Sequence, residues 1–366
     1  MQISLTNSKV VNITNGIEKL SLPWQSDDSP NKPDDSSLPD DIGVGLQELA
    51  SLNRRIFQPR LLPSHTVGTI GKGGMSKVFL ITRDDDKVQL AQKEVTFDNA
   101  RPFVNEVSAL LLLKHENIID VVEAGINRIC KCSETNLAFR MEYIKDATHI
   151  KKVNLENPDE VIDLFKILIK ATSALSEVHK NGIVHKDVKS KNIIFSDADN
   201  VKLIDFGLSK INRPDIGLVT TIENEGYMVG TPLYMAPEQT DDSTKCTYSS
   251  DIYSMVTTLY EALTGEHPIP EISFKETSAY YKSTLEVLSR IRHESPRDIR
   301  ELNKHIVDKE FASTLLKGLA KEPKERIFKS AEDFSEFLKG VKLEKLLRFK
   351  KPLFFLNWFR RQTSNV

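Results

Sequence analysis

Cysteine is scarce in this sequence. Only three occur in 366 residues, Cys130, Cys132 and Cys246. Three thiols are too few for the disulfide framework that staples small secreted domains, so we expect a reducing, cytosolic compartment. Cys130 and Cys132 form a single C-x-C pair, and no second pair follows at the spacing of zinc ligands. We therefore predict no structural zinc.

Long apolar runs are missing as well. No uninterrupted apolar stretch approaches the roughly 20 residues of a membrane-spanning helix. The first residues, MQISLTNSKVVNITN, lack a basic segment followed by an apolar core. We expect neither export by a standard signal nor a transmembrane segment.

Neither sign of charge is in excess. The chain has 50 Lys and Arg against 52 Asp and Glu, which gives a formal net charge of −2. This balance provides no overall attraction to polyanions, so we expect no nucleic-acid partner. With 39% hydrophobic residues, the chain can build large cores, as one two-lobed domain or as two ordinary domains.

Residues 25–41 differ in composition from the rest of the chain. The stretch QSDDSPNKPDDSSLPDD consists mostly of Asp, Ser and Pro. Such residues bury too little apolar surface to offset the entropy lost on ordering the backbone. We predict a disordered acidic linker here, within an N-terminal extension over residues 1–64.

The next part of the chain has the pattern of a sheet. From Val67, VGTIGKGGMSKVFLITR alternates apolar and polar residues around a glycine cluster, as a hairpin does. KVQLAQKEV and LAFRMEYI have the pattern of further strands. Between them Glu106, Leu110 and Leu113 share one face of a helix. These patterns predict a small β-rich lobe with one helix over residues 65–144.

The pattern then becomes helical. After Asn157-Pro158, VIDLFKILIKATSALSEVHKNG places apolar residues three and four apart before a glycine stop. Residues 250–264 and 311–319 are predicted helices of the same kind. We predict a larger α-helical lobe over residues 145–340, so that the fold class is α+β with two lobes.

The strongest chemical signal is HKDVKSKN, residues 185–192, followed thirteen residues later by Asp205-Phe206-Gly207. Phosphoryl transfer needs a carboxylate to orient a hydroxyl, a lysine to neutralise phosphate, and an amide with a second carboxylate to hold a metal. Because the transition state is loose and its charge is dispersed, the protein catalyses the reaction mainly by positioning the reactants and stabilising charge. In these motifs the chain resembles the eukaryotic-type (Hanks-type) serine/threonine protein kinases.

The resemblance implies a role for each polar residue of these motifs. Asp187 would accept or orient the proton of the substrate hydroxyl, and Lys189 would lie near the transferred phosphate. Asn192 and Asp205 would bind Mg²⁺, with Mn²⁺ as an alternative. His185 would be a packing residue and not a general base.

The resemblance also implies an ATP site in the smaller lobe. Taken alone, the glycine-rich stretch is an ordinary turn, and a lone Lys/Glu pair is a surface ion pair of little worth. The order and spacing of the motifs favour a nucleotide site, although Ser76 replaces the third family glycine. The residues assigned to ATP are Gly71, Gly73, Ser76, Val78, Ala91, Lys93, Glu106, Met141, Glu142, Tyr143 and Ile194.

Other matching residues are implied to be structural. The stretch GTPLYMAPE resembles the end of the family's activation segment, in which Glu238 would pair with Arg326. Asp251 would bind the backbone of the catalytic loop. Lys189 together with Thr231 resembles the Ser/Thr-specific branch, so we expect phosphorylation of Ser and Thr in protein substrates.

Two positions depart from the family pattern. Lys186 replaces the usual Arg before the catalytic Asp, which keeps the positive charge but loses the bidentate fork. With Lys210, it could pair with a phosphate on Thr220 or Thr221, so we expect autophosphorylation at one of these. Val256 replaces the usual Gly of the long central helix.

A basic and aromatic C-terminal tail is predicted over residues 341–366. Residues 341–361 carry seven Lys or Arg against one Glu. They fit peripheral adsorption to an anionic membrane, an autoinhibitory or partner-docking helix, or a final helix of the lobe. Their basic and aromatic residues favour adsorption, whereas Leu343, Leu346 and Leu347 favour packing.

The leading interpretation is an ATP- and magnesium-dependent Ser/Thr protein kinase of the cytosol, either of its own cell or of a host into which it is delivered. A small-molecule kinase is disfavoured by the GTPLYMAPE stretch and Arg326. A pseudokinase scaffold would commonly lack at least one functional residue. All five are present here: Lys93, Glu106, Asp187, Asn192 and Asp205.

Overall fold

A computed structural model gives the fold of this chain. It describes residues 57–58, 61–72, 76–96, 100–128, 135–216, 218–220, 230–270 and 279–347. Several sequence predictions concern positions outside these ranges, namely the acidic linker, Gly73, Cys130, Cys132, Thr221 and residues 348–366.

A six-stranded sheet forms the N-terminal lobe. Its strands are β1 (Phe57–Gln58), β2 (Ser64–Lys72), β3 (Ser76–Arg83), β4 (Gln89–Val95), β5 (Val121–Arg128) and β6 (Thr135–Glu142). They lie in the order β1-β5-β6-β4-β3-β2, and all neighbours are antiparallel except β1 and β5. The predicted hairpin is the pair β2 and β3.

Helix α1 (Ala100–Leu112) packs against this sheet. Glu106 and Leu110 on the helix, and Leu113 just after it, are buried, so the predicted apolar face is confirmed. The ring of Phe103 lies 5.9 Å from that of Phe139 on β6. This packing fixes the helix against the sheet and thereby fixes the position of Glu106.

A buried polar network ties four strands of the sheet together. The guanidinium of Arg140 on β6 donates to Gln92, Glu123 and Ser64, each at 2.6 Å. The side chains of Arg140 and Glu123 are almost fully buried. Because a buried charge without a partner is costly, the network favours this strand register over any shifted one.

Helices build the C-terminal lobe. They are α2 (Pro158–Lys180), α3 (Tyr248–Thr264), α4 (Ala279–His293), α5 (Ile299–Leu302), α6 (Lys309–Gly318), α7 (Ala331–Gly340) and α8 (Leu343–Leu346). Helix α2 begins where Asn157 accepts from the Asp159 amide, and it ends at Lys180, shortly before the left-handed Gly182. None of the described helices is both long enough and apolar enough to cross a bilayer.

Helix α3 is the central element of this lobe. It opens with a capping box between Thr247 and Ser250 and closes at Gly265, whose φ of 78° is left-handed. Almost the whole helix is buried, including Val256, which is completely inaccessible to solvent. Residues of α3 are therefore rigid reference points for the loops that contact them.

Two small sheets hold the segment that carries the HKDVKSKN motif. Their strands are β7 (Thr148–His149), β8 (Ile183–Val184), β9 (Ile193–Phe195), β10 (Val201–Leu203), β11 (Lys210–Arg213) and β12 (Leu218–Thr220). One sheet has the order β10-β9-β7 and the other β12-β11-β8. Because the motif runs from β8 to β9, each of its ends is anchored in a different sheet.

The packed lobe continues beyond the boundary predicted at residue 340. Leu343, Leu346 and Leu347 are buried in the main hydrophobic core. The amide of Val307 donates to the Leu346 carbonyl at 2.9 Å, and Ile306 forms a bridge with Leu347. For residues 341–347 the packing interpretation therefore holds, which leaves residues 348–361 as the part that could contact a membrane or partner.

Candidate active site

The loop of residues 185–192 is fastened to helix α3 by one carboxylate. Asp251 accepts hydrogen bonds from the backbone amides of His185 and Lys186, both at 2.8 Å. Nε2 of His179 lies 2.9 Å from the same carboxylate. Asp251 is only 1% exposed, so these contacts replace the water that it loses on burial. Its predicted contact with the loop backbone is present.

Asp187 lies at the centre of a dense hydrogen-bond cluster. Lys189 Nζ approaches Oδ2 at 2.5 Å, and the side-chain amide of Asn192 donates to the same oxygen at 3.1 Å. Thr231 donates to Oδ1 from both its amide and its hydroxyl, each at 3.2 Å, and accepts from Lys189 at 2.8 Å. These contacts fix one orientation of the Asp187 carboxylate, as a residue that must receive a proton at a set position requires.

A second charged cluster joins the two lobes. Lys93 on β4 lies 2.7 Å from Glu106 on α1 and 2.9 Å from Asp205, which follows β10. The first contact is the ion pair expected from the sequence. The second extends across the cleft, so that the ammonium is positioned by one carboxylate from each lobe.

The pKa shifts in this cluster have identifiable causes. Burial disfavours the charged form of Lys93, but Glu106 and Asp205 outweigh that effect and raise the pKa of the ammonium. Burial also raises the pKa of Glu106. Partial burial opposes ionisation of Asp205 as well, yet the contact with Lys93 lowers its pKa overall. A cation and an ionised carboxylate therefore face each other in the cleft at neutral pH.

The side chains of Asn192 and Asp205 fit a magnesium site. The amide of Ile204 donates to the Asn192 carbonyl at 3.0 Å, which brings the two segments side by side. The Asn192 amide nitrogen donates to Asp187, so its Oδ1 is the atom that could serve as a metal ligand. Oxygen donors of this kind suit Mg²⁺, which usually keeps waters and phosphate oxygens among its ligands. Asp205 has a φ of 67°, a left-handed conformation that aims its side chain.

Phe206 and its neighbours fix the position of Asp205. The rings of His185 and Phe206 lie 4.7 Å apart, both are fully buried, and His185 Nε2 contacts the Ile204 carbonyl at 3.1 Å. His185 therefore packs against Phe206, as predicted. Asn105, next to Glu106 on α1, donates to the Ser209 carbonyl at 2.8 Å and to the Phe206 carbonyl at 3.3 Å. Helix α1 is thereby hydrogen-bonded to the segment that carries Asp205.

Sheet register brings several predicted adenine residues together. Val78 pairs with both Gly71 and Lys93, while Ala91 pairs with Met141. Ile194 and Met141 both border the main core. Gly71 and Ser76 lie on the β2 and β3 strands that flank the glycine-rich turn, whereas Gly73 is outside the described residues.

The end of β6, where the backbone of Glu142 and Tyr143 is predicted to bind adenine, already makes contacts within the protein. The Glu142 amide donates to the Asp120 carbonyl at 3.1 Å, and its side chain pairs with Lys202 at 2.6 Å. A base bound here would therefore use the Glu142 carbonyl or the backbone of Tyr143. The role of both residues in nucleotide binding stays a prediction.

The expected Glu238–Arg326 pair closes the segment after Thr231. Arg326 NH1 and NH2 approach the two Glu238 oxygens at 2.9 and 2.5 Å, in a bidentate arrangement. Ser250 donates to Glu238 at 2.7 Å, and the guanidinium lies 5.0 Å from the Tyr253 ring. Burial opposes ionisation of Glu238, but Arg326 outweighs it and lowers the pKa.

These clusters agree with a comparison of the sequence with protein-family models. The family described as protein kinase domain matches residues 64–336. The chain belongs to the protein kinase domain family. The predicted resemblance and the two-lobed α+β fold class are thereby confirmed.

Curated proteins similar to this kinase domain include bacterial Ser/Thr kinases. It is 32% identical over 285 residues to serine/threonine-protein kinase PknB of Mycobacterium leprae, a match covering 75% of this chain and 42% of the relative. It is 30% identical over 287 residues to pkn3 of Myxococcus xanthus, covering 75% and 49%. PrkC of Bacillus subtilis is 29% identical, with 74% and 39% covered. The chain thus spans less than half the length of these relatives.

Three contributors to the kinase site were not assigned a site role from the sequence. Thr231 contacts both Asp187 and Lys189, Asn105 holds the segment after Asp205, and His179 supports Asp251. Thr231 was used only as a sign of Ser/Thr specificity. No local pattern around Thr231 indicated its contact with Asp187, 44 residues away in sequence. The contacts of His179 and Asn105 span 72 and 104 residues and are more remote still.

Proposed function

We propose that this chain is an active serine/threonine protein kinase that transfers the γ-phosphoryl group of ATP to protein hydroxyls. One observation carries the proposal. Lys93 simultaneously contacts Glu106 and Asp205, while Asp187, Lys189 and Asn192 are hydrogen-bonded to one another. These contacts support the proposal because phosphoryl transfer needs a positioned carboxylate, lysines near the phosphates and metal-binding oxygens. We place the catalytic unit at residues 65–347.

The proposed mechanism assigns one step to each side chain. Asp187 orients the substrate hydroxyl and accepts its proton as the oxygen bonds to the γ-phosphorus and the bond to the β-phosphate oxygen breaks. Lys189 neutralises charge on the transferred phosphoryl group, and Lys93 positions the remaining phosphates. Asn192 and Asp205 would hold Mg²⁺, which supplies charge neutralisation at the phosphates when bound.

The alternative functions have less support. A pseudokinase scaffold would retain the fold without a complete charge set, whereas here the Lys93 ammonium is paired with both carboxylates. A small-molecule kinase would have no need of the buried Glu238–Arg326 pair, which anchors a segment next to Thr231. Both observations favour a protein substrate.

Activity is tested with radiolabelled ATP and a generic protein substrate. We expect Asp187→Ala and Lys93→Met each to reduce incorporation at least about 100-fold, because each removes a positioned group. Lys309→Met, at an exposed lysine that begins α6, is the matched control. Unchanged incorporation in both site variants would remove the assignment.

We also propose autophosphorylation of the segment that follows β12. Thr220 pairs with Ile211 and Lys210 pairs with Val184, so the strand order brings this segment towards Lys210 and Lys186. Lys186 is 5% exposed, and mainly its burial, together with Lys210, lowers its pKa. A phosphate beside these two cations would stabilise their charged forms.

Mass spectrometry tests this part of the proposal. We expect phosphate on Thr220 or Thr221 in the active chain and none in Asp187→Ala. Active protein unmodified at both positions would contradict it.

We propose a location in the cytosol, because three cysteines are too few for a disulfide framework. We further propose that residues 348–361 make the peripheral membrane or partner contact, since residues 341–347 pack in the lobe. Flotation with anionic vesicles should differ between the full chain and a chain ending at Leu347. Equal flotation would end the membrane proposal and leave partner docking.

A further inference from the structure

Two exposed lysines lie beside the catalytic loop and have no role in the proposed reaction. Lys191 belongs to the short 3-10 turn Ser190–Asn192, and Lys151 follows strand β7. β7 pairs with β9 through His149 and Ile194, and β9 begins directly after the turn. We call Lys151 and Lys191, together with His149 on β7, the basic rim.

Both lysines act on the same imidazole. Burial lowers the pKa of His149, and Lys151 and Lys191 lower it further, while Glu261 alone opposes the shift. Neither lysine forms an ion pair with any residue that the structure describes. Within the described part of the chain, the basic rim therefore carries two lysine charges that no carboxylate pairs with.

Glu261, the carboxylate that acts on His149, and a third lysine, Lys152, already have contacts within the protein. Glu261 accepts a hydrogen bond from the Tyr234 hydroxyl and has His267 Nε2 at 3.9 Å from its other oxygen. Lys152 lies over Gly265 at the C-terminus of α3, where its charge is favourable to the helix dipole. Lys151 and Lys191 thus remain as cations for an external anion.

The rim adjoins the place where a protein substrate must lie. Lys191 stands between Ser190, whose hydroxyl contacts Tyr234 at 2.8 Å, and Asn192, which donates to Asp187. Tyr234, Thr231 and Asp187 line one small cavity. Lys191 therefore lies four residues along the loop from Asp187, and its two neighbours in the loop contact Tyr234 and Asp187.

We propose that the basic rim selects protein substrates carrying acidic or phosphorylated side chains next to the acceptor Ser or Thr. This inference rests on the proposed kinase function and adds its substrate class. Carboxylates or phosphates near the acceptor would pair with Lys151 and Lys191, while basic flanking residues would be repelled. Such contacts act on substrate binding and not on the transfer step.

The test uses peptides with one acceptor Thr flanked by Asp, Ala or Arg on either side. For the full chain at low salt, we expect kcat/KM to be about fivefold higher for the Asp peptides than for the Arg peptides, which is the effect of two exposed charge pairs. The ratio should be smaller at high salt, because salt screens exposed charges. Lys151→Glu/Lys191→Glu should invert the order and leave the Ala peptide nearly unchanged. Lys304→Glu/Lys309→Glu makes the same charge change at exposed positions elsewhere and should keep the order.

Peptide binding by fluorescence anisotropy gives a readout that does not require turnover. Stronger binding of the Asp peptide that is lost in the Lys151→Glu/Lys191→Glu variant supports the rim, whether or not phosphorylation is detected. Undetectable phosphorylation would count only against the proposed kinase activity. Binding and turnover that are indifferent to flanking charge would overturn the rim while leaving the kinase activity intact. A change in the KM for ATP without a change for peptides would assign the lysines to the nucleotide and would also overturn it.

Discussion

Asn105 illustrates how one uncharged side chain can support catalysis. Its amide bonds carbonyls on both sides of Gly207 and so joins α1 to the segment after Asp205. We expect Asn105→Ala to lower kcat about tenfold with little change in the KM for peptide, because it loosens the Lys93 cluster and leaves buried carbonyls unpaired. Steady-state kinetics of the purified variant measure this.

Asn117→Ala is the matched control for that prediction. Asn117 is equally buried and donates to the Val201 carbonyl at 3.0 Å, a contact that does not involve the segment after Asp205. Both variants should lose comparable stability, but only Asn105→Ala should lose kcat to this extent. Equal losses of kcat would mean that Asn105 contributes stability alone.

The Glu238–Arg326 pair gives a pH-dependent stability with a definite sign. The pKa of Glu238 is lowered in the folded protein, so the pair stabilises above the carboxyl's ordinary value of 4.5 and loses that effect as pH falls through the folded pKa. Glu238→Gln should cost about 3–5 kcal/mol at pH 7, because Arg326 would be buried unpaired. Urea unfolding at pH 7 and below 4.5 checks both statements.

The loss caused by Glu238→Gln should shrink at the lower pH. Glu310→Gln, at an exposed position of α6, should show no such change and serves as the control. A loss that is the same at both pH values would show that the Glu238 charge contributes little.

Site residues were predictable where a short spacing encodes them. Asp187, Lys189 and Asn192 lie within one loop, and their mutual contacts follow from that spacing. The contact between Asn105 and Ser209 spans 104 residues, so no local pattern could indicate it. The sequence also could not show that the Glu142 amide is occupied by Asp120.

Helices α3 and α6 approach each other closely at Gly318, which has no side chain. A Cβ at Gly318 would lie 2.8 Å from the Phe328 ring and 3.3 Å from a methyl of Val256. A methyl group of Val256 on one helix thus occupies the space that Gly318 leaves on the other. This packing fits the valine that the sequence resemblance marks as a departure from the usual Gly.

This crossing predicts that Gly318→Ala destabilises the C-terminal lobe. Overpacking against Phe328 should cost about 1–3 kcal/mol and exceed the gain in helix propensity. Gly340→Ala, where no atom lies within 4 Å of the added methyl, should be neutral or slightly stabilising. Thermal unfolding of the two variants compares them, and equal Tm values would refute the crossing argument.

The sequence predicted the β2–β3 hairpin and helices α1, α2, α3 and α6, but not strand β5 or helices α4 and α7. Apolar periodicity placed α3 within two residues of its observed start, because its caps and its buried face act locally. The extension of the lobe to Leu347 was missed, since leucines in a basic segment suit a membrane surface and a core equally well. Only the long-range contact with Ile306 and Val307 decides between them.

At the scale of the molecule, residues 341–347 are part of the folded unit. We expect a chain ending at Gly340 to lose several kcal/mol of stability, at about 1.5–3 kcal/mol for each of the three buried leucines. A chain ending at Leu347 keeps all three leucines and should therefore keep their contribution to stability. Calorimetry of the three chains tests this, and an unchanged Tm for the shortest would show that the leucines are dispensable.

The attachment of Asp251 to the catalytic loop also determines how that loop opens. The amides of His185 and Lys186 are bonded to the most buried helix of the lobe. They can exchange hydrogen with solvent only when the loop leaves α3, an event that approaches unfolding of the lobe. In deuterated solvent these two loop amides should therefore exchange as slowly as core amides, so that Asp187, the proposed catalytic carboxylate, is held in place between turnovers.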